Sequence, residues 1–247
     1  MFIYSTIFYI LMPRKSGKAK EEFKTRNDVF DKFTSETLFK LISRGYFEGL
    51  ESPISIGKES NVFSAIGKER KVAVKIYRLE TADFNRMYDY IRFDPRFPNL
   101  KKNKREVVFQ WAQREYRNLF SAREAHVSCP LPISFFRNML IMELIGDEEP
   151  AKKIKDAIPE NPKRFFEEAV ENMRRFYKAG FVHSDLSKFN ILNYKEKPMF
   201  IDFSQATVLK NPRAGEFLRR DVKNVSDFFR RLGVKIDEDK IIEEIKK

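Results

Sequence analysis

Apolar positions in the first third of the chain predict one helix followed by a three-stranded meander. Leu38, Leu41 and Ile42 share one helical face, with Thr34 as the expected N-cap and Gly45 as the left-handed residue that ends the helix. β-branched and aromatic runs separated by glycine-containing turns then predict strands around Ile54 and Ile56, Val62 and Phe63, and Val72 to Ile76.

The segment over residues 78–104 has no clean periodicity. It is polar, aromatic and basic, and its Asp94-Pro95 and Phe97-Pro98 pairs are expected to interrupt any helix. We therefore expect a long mobile loop here.

A helix with a carboxylate on its apolar face is predicted next. Apolar residues recur at spacings of three and four, and Glu115 lies in the middle of the face they form. A carboxylate in that position needs a cationic partner. The members of the face are Val108, Ala112, Glu115, Leu119 and Ala122.

The second half of the chain is predicted to be mainly helical, with one hairpin. A short strand from Met139 to Glu143 precedes an acidic turn over residues 146–150, where a change in composition indicates a domain boundary. Asn161 and Pro162 open a helix that Gly180 ends. A hairpin over residues 191–201 follows, and then a helix that carries Val222, Val225, Phe229 and Leu232.

Composition excludes several classes of protein. The 247 residues are 42% hydrophobic and include only 9 Gly and 11 Pro, which excludes a disordered or collagen-like chain. The single cysteine, Cys129, excludes an internal disulfide and a cysteine-rich zinc site. This cysteine usage fits the reducing cytoplasm.

The chain is strongly basic. Lys and Arg number 48 against 36 Asp and Glu, which gives a net charge of +12. Such an excess attracts polyanions such as RNA or acidic ribosomal surfaces, but it does not determine the fold. No aromatic RNA-reading motif accompanies the basic clusters, so charge alone leaves nucleic-acid contact open.

The first twelve residues carry no charge and are mostly apolar. As a helix they would reach only about 18 Å, against a hydrocarbon core of about 30 Å. Positive charge follows the run instead of preceding it, unlike in a secretory signal. We expect an N-terminal extension over residues 1–25 and no membrane association, with Met12 as an alternative start.

One segment carries the pattern of a phosphoryl-transfer site. His183, Asp185 and Asn190 form H-x-D-x-x-x-x-N before the hairpin, and Ile201-Asp202-Phe203 follows it. Phosphoryl transfer needs a base for the attacking hydroxyl and oxygen ligands for Mg²⁺ on the phosphates. Asp185 is the expected base, Asn190 and Asp202 are the expected metal ligands, and Asp202 is also counted as catalytic. The competing interpretation is a polar connection without function.

Other parts of a kinase site occur in the expected order. Val72-Ala73-Val74-Lys75 matches the strand motif whose lysine holds the α- and β-phosphates. Glu115 is the expected partner of that lysine, because the competing Glu106 lies on a polar helix face. Backbone groups between Glu143 and Ile145 fall where a hinge would bind adenine.

The phosphate-covering loop departs from the usual triple-glycine pattern. Only Gly57 is present, in Ile56-Gly57-Lys58-Glu59-Ser60-Asn61-Val62-Phe63. Here the chain resembles the RIO family of atypical serine protein kinases, whose loop reads G-K-E-[SA]-x-V-[YF]. His183 to Asn190 and Ile201 to Gln205 resemble the H-x-D-L-S-x-x-N-[IV] and I-D-x-x-Q motifs of the same family. The resemblance covers residues 26–232.

The type-1, archaeal-type branch of that family fits better than type 2. Only 56 residues precede Gly57, fewer than the winged-helix domain of type-2 members would need, and residues 26–45 resemble the type-1 preface. Ser60 and Phe63 depart from the Ala and Tyr that are usual in the branch, as does Ser55-Ile56 from its Ser-Thr.

The resemblance implies an α+β, two-lobed protein-kinase-like fold with an antiparallel N-lobe sheet. It implies an ATP- and Mg²⁺-dependent serine/threonine kinase, with Mn²⁺ as an alternative ion, that autophosphorylates or hydrolyses ATP. A phosphoaspartate at Asp202 is also implied. The nucleotide-binding residues would be Lys58, Ser60, Val62, Lys75, Glu115, Glu143 and Ile145.

The resemblance also implies a partner and a location. The partner would be the pre-small ribosomal subunit with its rRNA and proteins, in the cytoplasm, with neither membrane nor DNA involved. Small-subunit maturation would be the process served.

The expected organisation is an extension over 1–25, a helical preface over 26–50, an N-lobe over 51–145 and a truncated, mainly helical C-lobe over 146–247. With 45 residues after Asp202, we expect no conventional peptide-binding groove. Ser184 stands where ordinary kinases have the arginine that reads a phosphorylated activation loop.

Two alternatives from other classes stay open. The chain could be an RNA- or ribosome-binding scaffold that uses nucleotide as a conformational ligand. It could also be a small-molecule kinase of the aminoglycoside or choline type, which shares H-x-D-x-x-x-x-N but usually has a larger C-lobe. The oligomeric state is not predicted.

Overall fold

The computed structural model describes residues 30–98 and 100–247. The expected extension over residues 1–25 lies outside these ranges. The helices are α1 (Lys32–Ser43), α2 (Phe84–Ile91), α3 (Lys104–Glu124), α4 (Pro162–Lys178), α5 (Ala214–Arg230) and α6 (Glu238–Lys246). The strands are β1 (Leu50–Ile56), β2 (Ser60–Ile66), β3 (Lys71–Tyr77), β4 (Pro132–Phe136), β5 (Met139–Glu143), β6 (Phe181–Val182), β7 (Ile191–Tyr194), β8 (Lys197–Phe200) and β9 (Thr207–Val208).

The N-terminal lobe is built on a five-stranded antiparallel sheet. The strand order is β1-β2-β3-β5-β4, so the predicted meander of β1 to β3 and the predicted strand β5 are confirmed. The pattern did not predict β4, which begins at a proline and forms the edge of the sheet. Leu38 and Leu41 of α1 pack on one face of the sheet against Phe63 and Val74.

The start of α1 differs from the prediction. The helix begins three residues earlier than a Thr34 cap would allow, because the Thr34 amide donates a hydrogen bond of 2.6 Å to Oδ1 of Asp31. Thr34 itself is buried inside the first turn. The predicted stop is confirmed, since Gly45 has a φ of +73°.

The expectation that residues 78–104 contain no helix is wrong. The segment forms α2, where Asp83 accepts a hydrogen bond from the Arg86 amide at 3.1 Å and caps the N-terminus. The Asp94-Pro95 pair lies beyond the end of α2 and so does not interrupt it. Met87 and Ile91, four residues apart, are both buried against α3. We call residues 78–98 the strap, and its mobility stays a prediction.

The C-terminal lobe is mainly helical, as predicted. Phe166 of α4 packs on Phe229 of α5, with ring centroids 5.4 Å apart. Strands β7 and β8 form the predicted hairpin, whose turn residues Lys195 and Glu196 have φ values of +53° and +59°. None of the helices within residues 30–98 and 100–247 is long and apolar enough to cross a bilayer.

Sheet and helices together give the expected α+β architecture of two lobes. The sheet ends at Glu143, and most of the helical lobe follows it in the chain. Leu119 and Ala122 of α3 belong to the same core cluster as α4 and α5, whereas Val107 and Val108 of α3 pack with the strap. Helix α3 therefore contacts both lobes and the strap.

Replacing Met87 with alanine tests the docking of the strap. The Met87 side chain is 1% exposed, so its truncation should lower the free energy of unfolding by about 2–5 kcal/mol, measured by urea denaturation. Asn85→Ala, at an exposed position of the same helix, should change it by no more than about 0.5 kcal/mol. Equally small changes in both variants would show that the strap is not packed in solution.

Candidate active site

A cleft of about 610 Å³ lies between the sheet and the helical lobe. Most of the predicted site residues line it, namely Ser60, Val62, Lys75, Glu115, Glu143, Ile145, Asn190 and Asp202. Neither Lys58 nor Asp185 is among the lining residues of the described chain. Lys58 is exposed in the turn between β1 and β2, where its carbonyl accepts a hydrogen bond from the Thr81 hydroxyl. The structure therefore does not bring the Lys58 side chain into the cleft.

The Lys75 ammonium joins two carboxylates at the inner end of the cleft. Its Nζ lies 2.9 Å from Oε1 of Glu115 and 2.9 Å from Oδ1 of Asp202. Burial alone would lower the pKa of Lys75, but the two carboxylates outweigh it and raise that pKa above its usual value. The predicted Lys75–Glu115 pair is thus present, and the competing Glu106 is exposed.

Both carboxylate oxygens of Glu115 accept a hydrogen bond. Lys75 binds Oε1, and the Tyr77 hydroxyl donates to Oε2. The Glu115 side chain is 1% exposed, so a carboxylate without these partners would be strongly destabilising. This explains why a charged residue interrupts the apolar face of α3.

Asp202 combines a strained backbone with an ionised side chain. Its φ is +62°, a left-handed conformation that costs a non-glycine residue about 1–3 kcal/mol. The Ser204 hydroxyl donates to Oδ1 at 2.7 Å. Burial alone would raise the pKa of Asp202, but the Lys75 charge and the hydrogen bonds from Ser204 and Lys75 lower it to about 2. The carboxylate is therefore charged at neutral pH.

Two side chains of α3 hold the turn that follows Asp202. The Asn118 amide donates to the carbonyls of Phe203 at 2.8 Å and Ala206 at 3.0 Å. The Arg114 guanidinium donates to the carbonyl of Ser204. The sequence prediction missed both residues. Both are polar residues among the apolar positions of α3, which is the kind of sequence signal that identified Glu115. Both are also buried in the structure.

Asp185 and Asn190 lie together in the loop after β6. The Asn190 Nδ2 donates to the Asp185 carbonyl at 2.8 Å and to its Oδ2 at 3.2 Å, which leaves Asn190 Oδ1 as an acceptor. Burial and the nearby Asp202 raise the pKa of Asp185, while Arg86 and Arg220 oppose the rise. A carboxylate with a raised pKa is a stronger base, as the predicted role requires.

Asp221 of α5 positions the same loop and was not predicted. It accepts hydrogen bonds from the backbone amides of Ser184 at 2.7 Å and Leu186 at 2.9 Å, on either side of Asp185. Ser184 has a φ of +68°, so these bonds stabilise a strained residue. An acidic residue on the apolar face of α5 was the signal that could have found it.

His183 connects this loop to the strand that leads to Asp202. Its Nε2 donates to the Ile201 carbonyl at 3.1 Å, and its ring lies 4.7 Å from the Phe203 ring centroid. Burial lowers the pKa of His183 to about 4. The imidazole is therefore neutral at physiological pH, and its role is to align the loops.

The donor set suits Mg²⁺ carried on a nucleotide. Asp202 supplies a charged carboxylate and Asn190 a free amide oxygen, both lining the cleft. No cluster of three or more Asp, Glu, His or Cys that could hold a metal occurs within residues 30–98 and 100–247. Mg²⁺ typically takes one or two carboxylates and completes its coordination with phosphates and water. Asn190 and Asp202 are thus the residues that would hold it.

Comparison with known proteins connects this geometry to a family. Residues 61–241 match the family model of the RIO domain. The chain belongs to the RIO family. The resemblance read from the linked motifs is thereby confirmed.

Curated RIO relatives place the chain in the type-1 branch. It is 42% identical over 228 residues to the RIO-type serine/threonine-protein kinase Rio1 of Haloferax volcanii, covering 92% of this chain and 79% of the relative. It is 39% identical over 219 residues to the protein of the same name in Methanocaldococcus jannaschii, covering 88% and 75%. The names argue for a serine/threonine protein kinase and against a small-molecule kinase.

A solved RIO structure supports the fold. The Rio2 kinase of Chaetomium thermophilum, described as an ADP/Mg²⁺-phosphoaspartate complex, superposes with a TM-score of 0.66 at 22% identity. The match covers 85% of this chain and 66% of that one. The two-lobed, kinase-like α+β fold is confirmed by this similarity.

The low pKa of His183 predicts an acid-sensitive step in stability. Between pH 6.5 and about 4 the folded protein keeps His183 neutral while the unfolded chain takes up a proton, so stability falls as the pH falls. The contribution lost is about 3 kcal/mol at most. Urea unfolding across this range should show a flatter profile for His183→Gln than for the wild type.

Replacing Asp221 with asparagine should disturb the Asp185 loop. Asparagine has one acceptor oxygen for two backbone amides, so Ser184 should relax from its left-handed conformation. We expect phosphoryl-transfer kcat to fall about 10–100-fold, as for other residues that orient a reacting group, with ATP affinity unchanged. Asp227→Asn, at a half-exposed position of the same helix, is the control. Equal kinetics in the two variants would contradict the positioning role.

Proposed function

We propose that the chain is an ATP- and Mg²⁺-dependent serine/threonine protein kinase that phosphorylates itself or a ribosomal component. The observation that carries the proposal is the double contact of Lys75 with Glu115 and Asp202. This double contact holds the charged groups that phosphoryl transfer requires on one side of the cleft. Asn190 lines the same cleft.

Adenine would bind along the segment between Glu143 and Ile145. The Ile145 carbonyl accepts a hydrogen bond from the Ala151 amide at 2.8 Å, which shapes the segment without occupying the Ile145 amide. Val62 and Ala73 supply apolar surface above the base, and Leu192 supplies it below.

The transfer step would be carried by Asp185. It accepts the proton of the attacking hydroxyl as the new bond forms between that oxygen and the γ-phosphorus. The bond from the γ-phosphorus to the β-phosphate oxygen breaks, and its electron pair leaves on ADP. Bound Mg²⁺ would offset the phosphate charge, while Lys75 orients the α- and β-phosphates.

A second candidate activity is ATP hydrolysis through Asp202. This candidate is supported by the Rio2 structure that is described as a phosphoaspartate complex. The Asp202 carboxylate, whose pKa is about 2, would attack the γ-phosphorus and release ADP. Water would then cleave the acyl phosphate, with Asp185 accepting a proton from the water, and inorganic phosphate would leave.

The proposed setting is maturation of the small ribosomal subunit in the cytoplasm. It rests on the family and on the net charge of +12, which suits an RNA-rich partner. The RNA-binding scaffold is the rival in the same setting. The scaffold alternative predicts that affinity for the subunit depends on salt concentration and does not change when nucleotide is added.

The test follows the label of γ-labelled ATP·Mg²⁺ with the wild type and with Asp185→Asn, with and without small ribosomal subunits. Stable label on the chain or on a ribosomal protein, lost in the variant, is the expected result for a kinase. Free phosphate that rises with subunits and is lost in Asp185→Asn would identify the ATPase instead. Repeating the assay with Mn²⁺ tests the alternative ion.

Neither label transfer nor phosphate release by the wild type would overturn the proposed activity. If subunits were bound equally with and without nucleotide in that case, the scaffold would be the better account. Asp227→Asn serves again as the control, since the half-exposed Asp227 carboxylate pairs with Lys223 and Arg230 of its own helix.

A further inference from the structure

Arg86 of α2 does not line the cleft of the described chain, but it contacts residues that lie close in sequence to Ser60 and Asp202, which do. Its Nη2 donates to Oε1 of Gln205 at 3.0 Å, and its Nη1 lies 3.7 Å from Oε1 of Glu59. Glu59 belongs to the turn between β1 and β2, and Gln205 lies three residues after Asp202. One guanidinium therefore bridges the phosphate-covering turn and the loop that carries a metal ligand.

The position of Arg86 is fixed by the way the strap is anchored. The Asp94 carboxylate, 1% exposed, accepts hydrogen bonds from Arg114 at 3.1 Å and Arg96 at 2.6 Å. Met87, the neighbour of Arg86, is buried against α3. The backbone of Arg86 is thus held by a buried ion pair and by apolar contacts, although the Arg86 side chain is 50% exposed.

The partners of Arg86 leave it able to bind a ligand. The ion pair with Glu59 is long, and both side chains are about half exposed. Such exposed ion pairs contribute little to stability. Gln205 is neutral and takes one of the five guanidinium N–H groups. A phosphate oxygen could replace Glu59 without leaving a buried charge unpaired.

The surroundings of Arg86 match the place where negative charge collects during transfer. With the α- and β-phosphates at Lys75, the γ-phosphoryl group would lie between the β1–β2 turn and Asp185. Arg86 contacts that turn through Glu59, and its positive charge opposes the rise in the pKa of Asp185. Arg220 also acts on Asp185, but its guanidinium donates to the Ser184 carbonyl.

We propose that Arg86 is a catalytic residue that leaves Glu59 and binds the γ-phosphoryl group, supplied to the active site by the docked strap. The inference rests on the proposed phosphoryl transfer. As the bond to the acceptor oxygen forms and the bond to the β-phosphate oxygen breaks, the guanidinium stabilises the charge on the equatorial oxygens, and it neither gains nor loses a proton.

The test compares Arg86→Gln with Arg92→Gln. Arg92 caps the C-terminus of the same helix, is 51% exposed and pairs with Asp89 at 3.3 Å, so the two variants lose one matched charge each. We expect Arg86→Gln to lower kcat about 10²–10³-fold and to raise KM for ATP by no more than about tenfold, because the charge that Arg86 binds is larger in the transition state than in bound ATP. Arg92→Gln should match the wild type, and Arg86→Lys should recover part of the loss.

A binding measurement separates this inference from the proposed function. Titration calorimetry with Mg²⁺ gives the affinities for a non-hydrolysable ATP analogue and for ADP. Arg86→Gln should weaken the triphosphate about tenfold relative to the diphosphate, because only the triphosphate carries the group that Arg86 binds. This ratio can be read even if the wild type proves to have no transfer activity.

Two results would overturn the role of Arg86. The first is that kcat, KM and the ratio of triphosphate to diphosphate affinity for Arg86→Gln all lie within twofold of the values for Arg92→Gln. The other is an equal loss of ADP and triphosphate affinity together with a lower Tm, which would make Arg86 a purely structural residue. If the wild type shows no transfer activity but the affinity ratio still depends on Arg86, the proposed function is wrong while the role of Arg86 in binding the γ-phosphoryl group stands.

Discussion

The buried ammonium of Lys75 is the constraint on which the rest of the site depends. It lies between a carboxylate on α3 and a carboxylate after β8, each 2.9 Å away. Removing the Lys75 ammonium would leave the Glu115 carboxylate, 1% exposed, as an uncompensated buried charge, which costs about 3–5 kcal/mol. The sheet and α3 must therefore come together for the Glu115 charge to be stable, and the more exposed Asp202 joins them through the same ammonium.

Two residues with a left-handed backbone lie at the two aspartates of the site. Ser184 precedes Asp185, Asp202 is itself strained, and both have φ between +60° and +70°. Each is stabilised from a helix, Ser184 by Asp221 of α5 and the Asp202 turn by Asn118 of α3. Strained residues persist only where their surroundings fix them. Here helices from both sides of the cleft provide the hydrogen bonds.

Sequence predicted the parts of the site that have a local signature. Lys75 was readable because it ends an alternating run, and Glu115 because it interrupts an apolar helix face. The same test applied to α5 would have found Asp221. Arg86 has no such signature, since its partners Glu59 and Gln205 are 27 and 119 residues away in the chain.

The fold was predictable to a similar degree. The meander, the hairpin and α4 follow from periodicity and turn residues. Helix α2 was missed because two X-Pro pairs outside the helix were taken to interrupt it, although Phe84, Met87, Tyr88 and Ile91 follow the spacing of an amphipathic helix. The burial that stabilises α2 comes from α3, and the local pattern does not show which element provides it.

The position of α3 has a consequence for how nucleotide would enter and leave. The helix packs with the strap and pairs through Glu115 with the sheet, yet its Arg114 and Asn118 bind carbonyls on the far side of the cleft. A rigid rotation of one lobe away from the other would break either the Glu115–Lys75 pair or the contacts of Arg114 and Asn118, depending on which lobe α3 follows. The β1–β2 turn is held only by exposed contacts among the described residues, such as the Arg86–Glu59 pair and the hydrogen bond from Thr81 to Lys58, and most of β1 is exposed. Exchange of nucleotide would then proceed by bending of the β1–β2 hairpin, with the lobes kept at a fixed angle.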